Sequence, residues 1–336
     1  MLSVLTYHRI VPRDDDRETT PGIASATVER FEAHVRFLAR HYDTLRLADV
    51  LAAVRRRTPL PRRALLITFD DAYRDFQTLA WPVLKRHGVP ATLFVPTAYV
   101  GCPGPVFWWD RLYRCLQESS RTTVDVGLGS VPLRSAAEKR TAFTTIRSRM
   151  KALMHDDAMQ FVDSVCDALG AATEHADSSV LSWDALRSLV ADGADVASHT
   201  HSHPLLNRVS AERVREEVES AQSALERAFG RTPPVLSYPN GAHDDVTLAT
   251  LRQLGVEVAF TQLPGHNNLA SCDPLRLRRI NVTRRTSLPL LRLRLQPWFA
   301  PIERWRKRKR IQAYQSRPVR LPGDELSAPS VSRRGA

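Results

Sequence analysis

The sequence has no long apolar runs and no closely spaced pairs of cysteines. No apolar stretch reaches the ~18–20 residues that a membrane-spanning helix needs. The four cysteines stand far apart, without the close pairs of a structural zinc site, which predicts reduced thiols in a cytoplasmic protein. The segment from Met1 to Val4 shows neither the basic region nor the apolar core of a signal peptide, so we do not expect export by a cleaved signal.

Positive charge is concentrated at one end of the chain. The formal net charge is +12, and residues 287–336 carry nine of these charges, with twelve basic and three acidic side chains. Trp298 and Trp305 lie in this tail, beside a cationic run at 304–310. Such a segment suits peripheral contact with an anionic membrane, at about 1 kcal/mol per cation. A solvated, partly disordered tail is the alternative, and nucleic acid is the least favoured partner.

Two adjacent carboxylates follow an apolar strand pattern. Residues 65–69 read Leu-Leu-Ile-Thr-Phe without polar alternation, which is typical of a strand buried on both faces of a parallel sheet or barrel. Asp70 and Asp71 come directly after it. Two carboxylates held this close repel each other unless a cation or a proton lies between them. The pattern therefore predicts a cation site at the end of this strand.

Histidines follow a second predicted strand, at residues 194–198. His199 and His203 are four residues apart, which predicts that both imidazoles lie on one face of a helical turn. Two imidazoles and one carboxylate make a three-ligand site with an open position, as in catalytic zinc centres. Each motif alone is more often a helix cap or a surface feature. Together, each at a strand end, they predict a metal site.

Strand and helix patterns alternate along much of the chain, including a helix predicted over 47–56. This alternation predicts βα units around a parallel sheet or barrel, with functional residues at the carboxyl ends of the strands. The alternation stops between about 101 and about 182, where we expect a mostly helical insertion. Trp108 and Trp109 in that segment predict either a wall that packs against a sugar ring or an anchor that holds the insertion to the barrel.

Four short motifs resemble those of the polysaccharide deacetylases, carbohydrate esterase family 4 with its NodB-like domain. Residues 68–71 (Thr-Phe-Asp-Asp) and 199–203 (His-Thr-His-Ser-His) resemble the first two motifs of the family. Residues 237–241 (Ser-Tyr-Pro-Asn-Gly) resemble its Pro-Tyr-Gly loop, and the Tyr-His pair at 7–8 resembles the first strand of one branch. The resemblance runs from about residue 1 to about residue 282.

The resemblance implies an α/β fold, namely a distorted (β/α)7 barrel with a mostly helical insertion. We expect the barrel over residues 1–286, interrupted by the insertion at about 101–182. A basic, partly disordered tail would follow over residues 287–336.

The resemblance also implies a metal-dependent hydrolase that removes N-acetyl groups from an amino-sugar polysaccharide or glycan intermediate. Asp71, His199 and His203 would bind a divalent metal, with zinc as the first expectation, and Asp70 would be the general base. The backbone N–H of Asn240, which stands where the family has a tyrosine, would stabilise the oxyanion. The glycine that follows it would let the backbone approach the ligand closely.

The proton donor is the point at which the sequence departs from the family pattern. The final strand, at 277–282, lacks the family's Leu-His motif, and the arginine that opens the third motif is also absent. His8, His266 and His243 are the candidates for the general acid, in that order, although each has a structural role as its alternative. Water could also fill the role. A second hypothesis is therefore a weakly active or inactive barrel that binds a glycan or nucleic acid.

Overall fold

Twelve strands and ten complete α-helices lie within the residues that the computed structural model describes, which are 1–13, 20–102, 107–125, 127, 129–170 and 179–305. The strands are β1 (Ser3–Tyr7), β2 (Arg9–Val11), β3 (Ala24–Thr27), β4 (Asp43–Thr44), β5 (Ala64–Phe69), β6 (Thr92–Val95), β7 (Thr123–Asp125), β8 (Ser130–Pro132), β9 (Asp195–Ser198), β10 (Val235–Ser237), β11 (Val258–Phe260) and β12 (Ile280–Asn281). The helices are α1 (Val28–His41), α2 (Leu47–Arg56), α3 (Trp81–Arg86), α4 (Trp108–Glu118), α5 (Ala136–Met150), α6 (His155–Leu169), α7 (Trp183–Ala191), α8 (Ala211–Phe229), α9 (Asp245–Gln253) and α10 (Leu288–Arg294).

Seven parallel strands form a barrel, in the order β11-β10-β9-β6-β5-β1-β12. The two outer strands are connected through Leu277, which lies just ahead of β12. Its N–H donates to the carbonyl of Ala259 (2.9 Å), and its own carbonyl accepts from the Thr261 N–H (2.8 Å). The sheet therefore curves into an irregularly closed ring, with helices on its outside. The predicted α/β fold class, a distorted (β/α)7 barrel, is confirmed.

The central strand β5 explains how the carboxylates after it reach the interior of the barrel. All six of its residues are buried. Leu65, Ile67 and Phe69 belong to the core that the outer helices share, whereas Leu66 belongs to the core inside the barrel, with Phe94. Because successive strand side chains alternate between faces, the position after Phe69 faces the interior again.

Local sequence signals set the bounds of the outer helices. The Thr27 hydroxyl accepts a hydrogen bond from the Arg30 N–H (3.3 Å) and caps α1. Ser210 caps the longest helix, α8, in the same way through the Arg213 N–H (3.2 Å). Such caps satisfy amide groups that the first helical turn leaves without partners. The helix predicted over 47–56 is α2, with the same bounds.

Several extra elements separate β6 from β9. Helices α4, α5 and α6 pack against one another, next to the antiparallel hairpin of β7 and β8. Their shared core includes Leu112, Phe143 and Val162, all fully buried. The limits predicted for the insertion, about 101 and about 182, stay a prediction.

Helix α10 follows the last barrel strand and packs against α1. The guanidinium of Arg292 lies 4.7 Å from the ring centre of Phe37 on α1. Arg294 is buried and donates to the carbonyl of Asn281 (2.7 Å). The disorder predicted for the end of the tail falls on residues outside the described ranges. None of the described helices has both the length and the apolar character to cross a membrane.

Candidate metal centre and active-site cavity

Asp70 and Asp71 lie in a tight turn at the carboxyl end of β5. The Asp70 N–H donates to the carbonyl of Tyr7 (3.0 Å) and continues the ladder with β1. Asp71 and Ala72 then have φ angles of 74° and 53°, a left-handed conformation that residues other than glycine rarely adopt. Strained backbone of this kind clusters at functional sites. The turn buries both carboxylates, which are 1% and 2% exposed.

His199 and His203 reach the same place through a loop. The helical turn predicted for them is wrong, because Thr200 and His203 have φ angles of 65° and 60°. The loop still brings the two imidazoles together, with ring centres 4.8 Å apart. The His203 N–H donates to the Thr200 hydroxyl (3.1 Å), which fixes the end of the loop. His201 has its Nδ1 2.8 Å from Thr97 Oγ1 and does not join the pair.

Glu217, on α8, holds the loop between the two histidines. Its carboxylate accepts hydrogen bonds from the His201 N–H (2.9 Å), the Ser202 N–H (2.7 Å) and the Ser202 hydroxyl (2.5 Å). The side chain is buried. Sequence reasoning missed it, because a glutamate in a charged helix is usually exposed. The sequence feature that indicates its burial is its position on the apolar stripe of α8, three residues after Val214 and four before Ala221.

Three potential ligand atoms converge beside Asp71. Nε2 of His199 and Nε2 of His203 each lie 3.4 Å from Asp71 Oδ1, and the ligand atoms are all within 4.8 Å of one another. Asp71 Oδ1 is buried, and no hydrogen bond from a described residue satisfies it. His199 Nδ1 donates to the carbonyl of Ser237 (2.7 Å), which leaves Nε2 as the lone-pair nitrogen of the neutral ring. A lone pair facing a carboxylate requires a cation between them, so these residues fit a divalent metal.

The electrostatics of the centre follow from burial and from opposite charge at close range. Burial raises the pKa of Asp71, but the two imidazoles against it outweigh burial and hold that pKa well below its usual range. Burial also lowers the pKa of His203. Burial lowers the pKa of His199 as well, but the nearby carboxylates of Asp70 and Asp71 outweigh this effect and raise that pKa. A bound metal would take the place of the proton that these carboxylates favour on His199.

Asp70 is paired with Arg279, which the sequence analysis did not single out. Arg279 Nη1 and Nη2 donate to the two carboxylate oxygens at 2.8 and 2.7 Å, and both side chains are fully buried. Arg279 Nε donates to the carbonyl of Thr261 (2.9 Å). Burial raises the pKa of Asp70, but the guanidinium outweighs it and lowers that pKa. The signal for this pair was an arginine directly before the apolar Ile280 of the final strand, where a buried charge needs a partner.

A cavity of about 360 Å³ opens above the centre, and all three converging side chains line it. His8 and His243, two of the predicted general acids, also line this cavity. His243 donates through Nδ1 to the carbonyl of Gly241 (2.9 Å). His266 is not among the lining residues, and its Nδ1 lies 2.9 Å from Ser3 Oγ. Of the three candidates, the structure thus brings two to the cavity.

The two tryptophans of α4 occupy different places. Trp109 is buried and donates through Nε1 to the Tyr73 hydroxyl (2.9 Å), which in turn donates to Asp110 (2.7 Å). Its ring centre lies 5.0 Å from that of His203. Trp109 therefore anchors the segment after β6 against the candidate metal centre. Trp108 and Trp109 both line the cavity, and the packing of either ring against a sugar stays a prediction.

The turn after β10 forms another wall of the cavity. Asn240 has a φ angle of 53°, and its Oδ1 accepts from Lys151 Nζ (3.0 Å). The role predicted for its N–H at an oxyanion stays a prediction. A Cβ at Gly241 would lie 2.4 Å from the backbone nitrogen of Gln262. Gly241 is thus required by the close approach of a neighbouring loop of the protein itself.

The sequence profile of the polysaccharide deacetylase family matches residues 57–124 and 144–259, which make up more than half of the chain. This chain belongs to the polysaccharide deacetylase family. The match includes both aspartates and both histidines of the candidate metal centre. The break in the match falls within the elements that separate β6 from β9.

Two related proteins show how far the sequence likeness extends. YxkH of Bacillus subtilis, whose name places it with polysaccharide deacetylases, is 21% identical over 265 residues, or 79% of this chain and 65% of YxkH. The poly-beta-1,6-N-acetyl-D-glucosamine N-deacetylase of Staphylococcus epidermidis is 26% identical over 105 residues, or 29% of this chain and 36% of that enzyme. The chain therefore spans less than two thirds of the length of either relative.

The fold also matches a solved deacetylase. The Streptococcus pyogenes deacetylase PplD, solved in complex with acetate, superposes with a TM-score of 0.59 and 18% identity. The superposition covers 88% of this chain and 98% of PplD. At this identity, the likeness establishes the shared fold alone.

Proposed function

We propose that this chain is a metal-dependent N-deacetylase that acts on an amino-sugar polysaccharide or glycan intermediate. The observation that carries the proposal is Asp71 Oδ1, which is buried, has no hydrogen-bond donor among the described residues and lies 3.4 Å from two imidazole nitrogens. Membership of the family supports hydrolysis of an acetamido group. The substrate named for the Staphylococcus epidermidis relative supports an N-acetylglucosamine polymer as the class of substrate.

Asp71, His199 and His203 would bind the metal, and zinc suits two imidazoles and one carboxylate with open positions. When bound, such a metal polarises the amide carbonyl and lowers the pKa of water towards ~7. The open side of the ligand set faces the cavity, where the acetamido group would enter.

Asp70 would act as the general base. Its Oδ2 lies 3.9 Å from His199 Nε2, so the carboxylate borders the metal centre without joining the ligand set. The Arg279 guanidinium lowers the pKa of Asp70 against the effect of burial and keeps it ionised at neutral pH. The same two hydrogen bonds fix the orientation of the carboxylate that would accept a proton from the attacking water.

His8 would donate a proton to the departing amine. It lines the cavity together with the metal-binding residues and is partly exposed, so it can exchange protons with solvent. His243 has Nδ1 bonded to a carbonyl, and His266 does not line the cavity. The backbone N–H of Asn240 is our candidate donor to the oxyanion that forms on the acetyl carbonyl.

Metal analysis and an acetate-release assay test this function. The purified protein should contain zinc or another divalent metal and should release acetate from N-acetylglucosamine oligomers. Asp70→Asn should keep the metal and lose about 10²–10⁴-fold in rate, which is the usual contribution of a general base. Asp163→Asn, at an exposed ion pair of α6, is the matched control and should leave the rate unchanged. Equal rates for Asp70→Asn and the natural protein would overturn the proposed role of Asp70.

A weakly active or inactive barrel that binds a glycan or nucleic acid is the second candidate. The final strand favours it, since Arg279 there is engaged with Asp70 and the strand offers no histidine as a general acid. Full metal occupancy without acetate release, together with measurable binding of glycan oligomers or RNA, would support this candidate over the first.

We further propose a cytoplasmic protein whose carboxyl-terminal segment contacts anionic membranes. Trp298 and Trp305 are 62% and 74% exposed, and Arg304 directly precedes Trp305 in the sequence. Exposed aromatic rings next to cations suit the interface of an anionic bilayer. The protein should sediment with vesicles that contain phosphatidylglycerol and stay free with pure phosphatidylcholine. Equal sedimentation with both, or loss of sedimentation only on addition of RNA, would contradict this proposal.

A further inference from the structure

A buried arginine that has no ion-pair partner in the described part of the chain lines the cavity above the candidate metal centre. Arg208 is 2% exposed, and it shares this cavity with His203. Among the described residues, none accepts a hydrogen bond from its Nε or pairs with its guanidinium. The carboxylate that acts on it from nearby, Asp244, is engaged elsewhere. It caps α9 and accepts from the Thr247 N–H (2.8 Å) and hydroxyl (2.7 Å).

The backbone holds Arg208 in this position. The Arg208 N–H donates to the carbonyl of Leu205 (2.8 Å). Leu206 is buried, and its carbonyl accepts from the Thr247 hydroxyl (3.3 Å). Burial lowers the pKa of Arg208, because the charged form loses its hydration there. A largely buried guanidinium whose Nε has no acceptor among the described residues, and which makes no ion pair there, is costly to the fold, and such groups are typical of sites that bind a ligand.

The rest of the cavity is also better suited to an anion than to a cation. Among the described lining residues, Arg147, Lys151 and Arg208 are permanent cations, and Asp71 is the single carboxylate. Asn240 Nδ2 is buried and has no hydrogen-bond acceptor among the described residues. The hydrogen bond from Lys151 to Asn240 Oδ1 leaves that amide group as a free donor on the cavity wall.

We propose that Arg208 binds an oxyanion, a phosphate ester or a carboxylate, that the glycan carries close to its N-acetylated sugar. A planar guanidinium matches both groups through two parallel hydrogen bonds. Arg208 and His203 line the same cavity, so the oxyanion belongs to the sugar at the metal centre or to its neighbour. This inference rests on the proposed deacetylase function and narrows its substrate class to anionic glycans.

Measuring how sugars bind to the metal-free full-length protein tests the inference without relying on turnover. Using the metal-free protein also prevents phosphate from binding to a metal ion. Isothermal titration would compare N-acetylglucosamine, its 6-phosphate, a disaccharide of glucuronate and N-acetylglucosamine, and inorganic phosphate. The variants are Arg208→Met and, as a matched control, Arg227→Met, which removes the same charge from an exposed position of α8. Arg208→Lys keeps the charge without the planar fork.

The natural protein should bind at least one of the two anionic sugars about tenfold or more tightly than N-acetylglucosamine, and Arg208→Met should abolish this difference. Arg227→Met should retain it, and Arg208→Lys should retain part of it. Whichever sugar is preferred identifies the oxyanion as phosphate or carboxylate. Inorganic phosphate binding as tightly as the sugar phosphate would overturn the assignment to a glycan substituent. Equal binding of neutral and anionic sugars, or a preference that survives Arg208→Met, would overturn the inference.

Two further measurements distinguish a failure of this inference from a structural role of Arg208 and from a failure of the proposed deacetylase function. Arg208→Met should unfold at the same temperature as the natural protein or higher, since it removes an unpaired buried charge. A clear fall in that temperature would show that Arg208 supports the fold and would overturn its role in binding. Absence of acetate release from every sugar, with the binding preference intact, would refute the deacetylase function and leave the oxyanion site standing.

Discussion

Replacement of Arg279 by methionine tests the buried charge pair that positions Asp70. The substitution removes two hydrogen bonds, of 2.8 and 2.7 Å, and leaves a fully buried carboxylate whose nearest remaining side-chain donor, Ser237 Oγ, lies at 3.4 Å. Breaking one side of a buried ion pair typically costs about 3–5 kcal/mol. Methionine keeps much of the apolar volume, so we expect the free energy of unfolding to fall by about that amount.

Denaturant unfolding of the metal-free protein measures this loss, provided that the slope with denaturant concentration stays unchanged. The double variant Arg279→Met/Asp70→Asn should be more stable than the sum of the two single effects, by about 1–3 kcal/mol, because it leaves no unpaired charge. Arg55→Met is the matched control. Arg55 makes the same two-point contact with Glu257 at 2.7 Å, but at the surface, and its loss should change stability far less.

Two results would refute this reasoning. The first is an Arg279→Met variant that is no less stable than Arg55→Met, which would mean that burial does not increase the stabilising effect of the ion pair. Alternatively, the single effects of the Arg279 and Asp70 variants could add without coupling, which would mean that the two side chains do not stabilise each other.

Three other predictions concern pH, the histidine loop and the metal. Burial lowers the pKa of His34 to about 4, against an ordinary value of 6.5; the unfolded chain therefore binds more protons between these values. Stability should fall by about 3 kcal/mol as the pH drops from 6.5 to 4, and a His34→Gln variant with the same acid sensitivity would contradict this. Glu217→Gln should weaken zinc binding by about 10–100-fold in a competitive chelator titration, because it loosens the loop that orients His203; an unchanged zinc affinity would disprove that role. Zinc at a hundredfold excess over its dissociation constant should stabilise the protein by about 2.7 kcal/mol, whereas Asp71→Asn should show almost none of this gain, and equal stabilisation of both proteins would refute Asp71 as a ligand.

The sequence was sufficient to locate the candidate metal centre, because its residues stand at strand ends. An uninterrupted apolar run predicted the buried strand β5, and the carboxyl ends of parallel strands meet at one edge of a barrel. Asp71, His199 and His203 could therefore be placed together from the pattern alone, and the structure brings their ligand atoms within 4.8 Å.

The residues that support the centre could not be predicted in the same way. Arg279 lies more than two hundred positions from Asp70, and neither a motif nor a period connects them. Glu217 resembles an ordinary exposed helix residue until the loop that it holds is known. The prediction of a helical turn for His199 and His203 was wrong for a local reason. The loop has left-handed backbone angles at Thr200 and His203, and these residue types do not predict such angles.

The pairing of Asp70 with Arg279 also has a consequence for how the protein is made. During synthesis, Asp70 leaves the ribosome more than two hundred residues before Arg279, so any barrel that formed before Arg279 was made would hold this carboxylate without its counter-charge. Only when β12 docks beside β1 does the guanidinium arrive and neutralise it. Among the described residues, the last strand to be translated thus follows directly on the arginine that pairs with Asp70, and a chain halted before residue 279 would lack both this strand and the counter-charge of the proposed base.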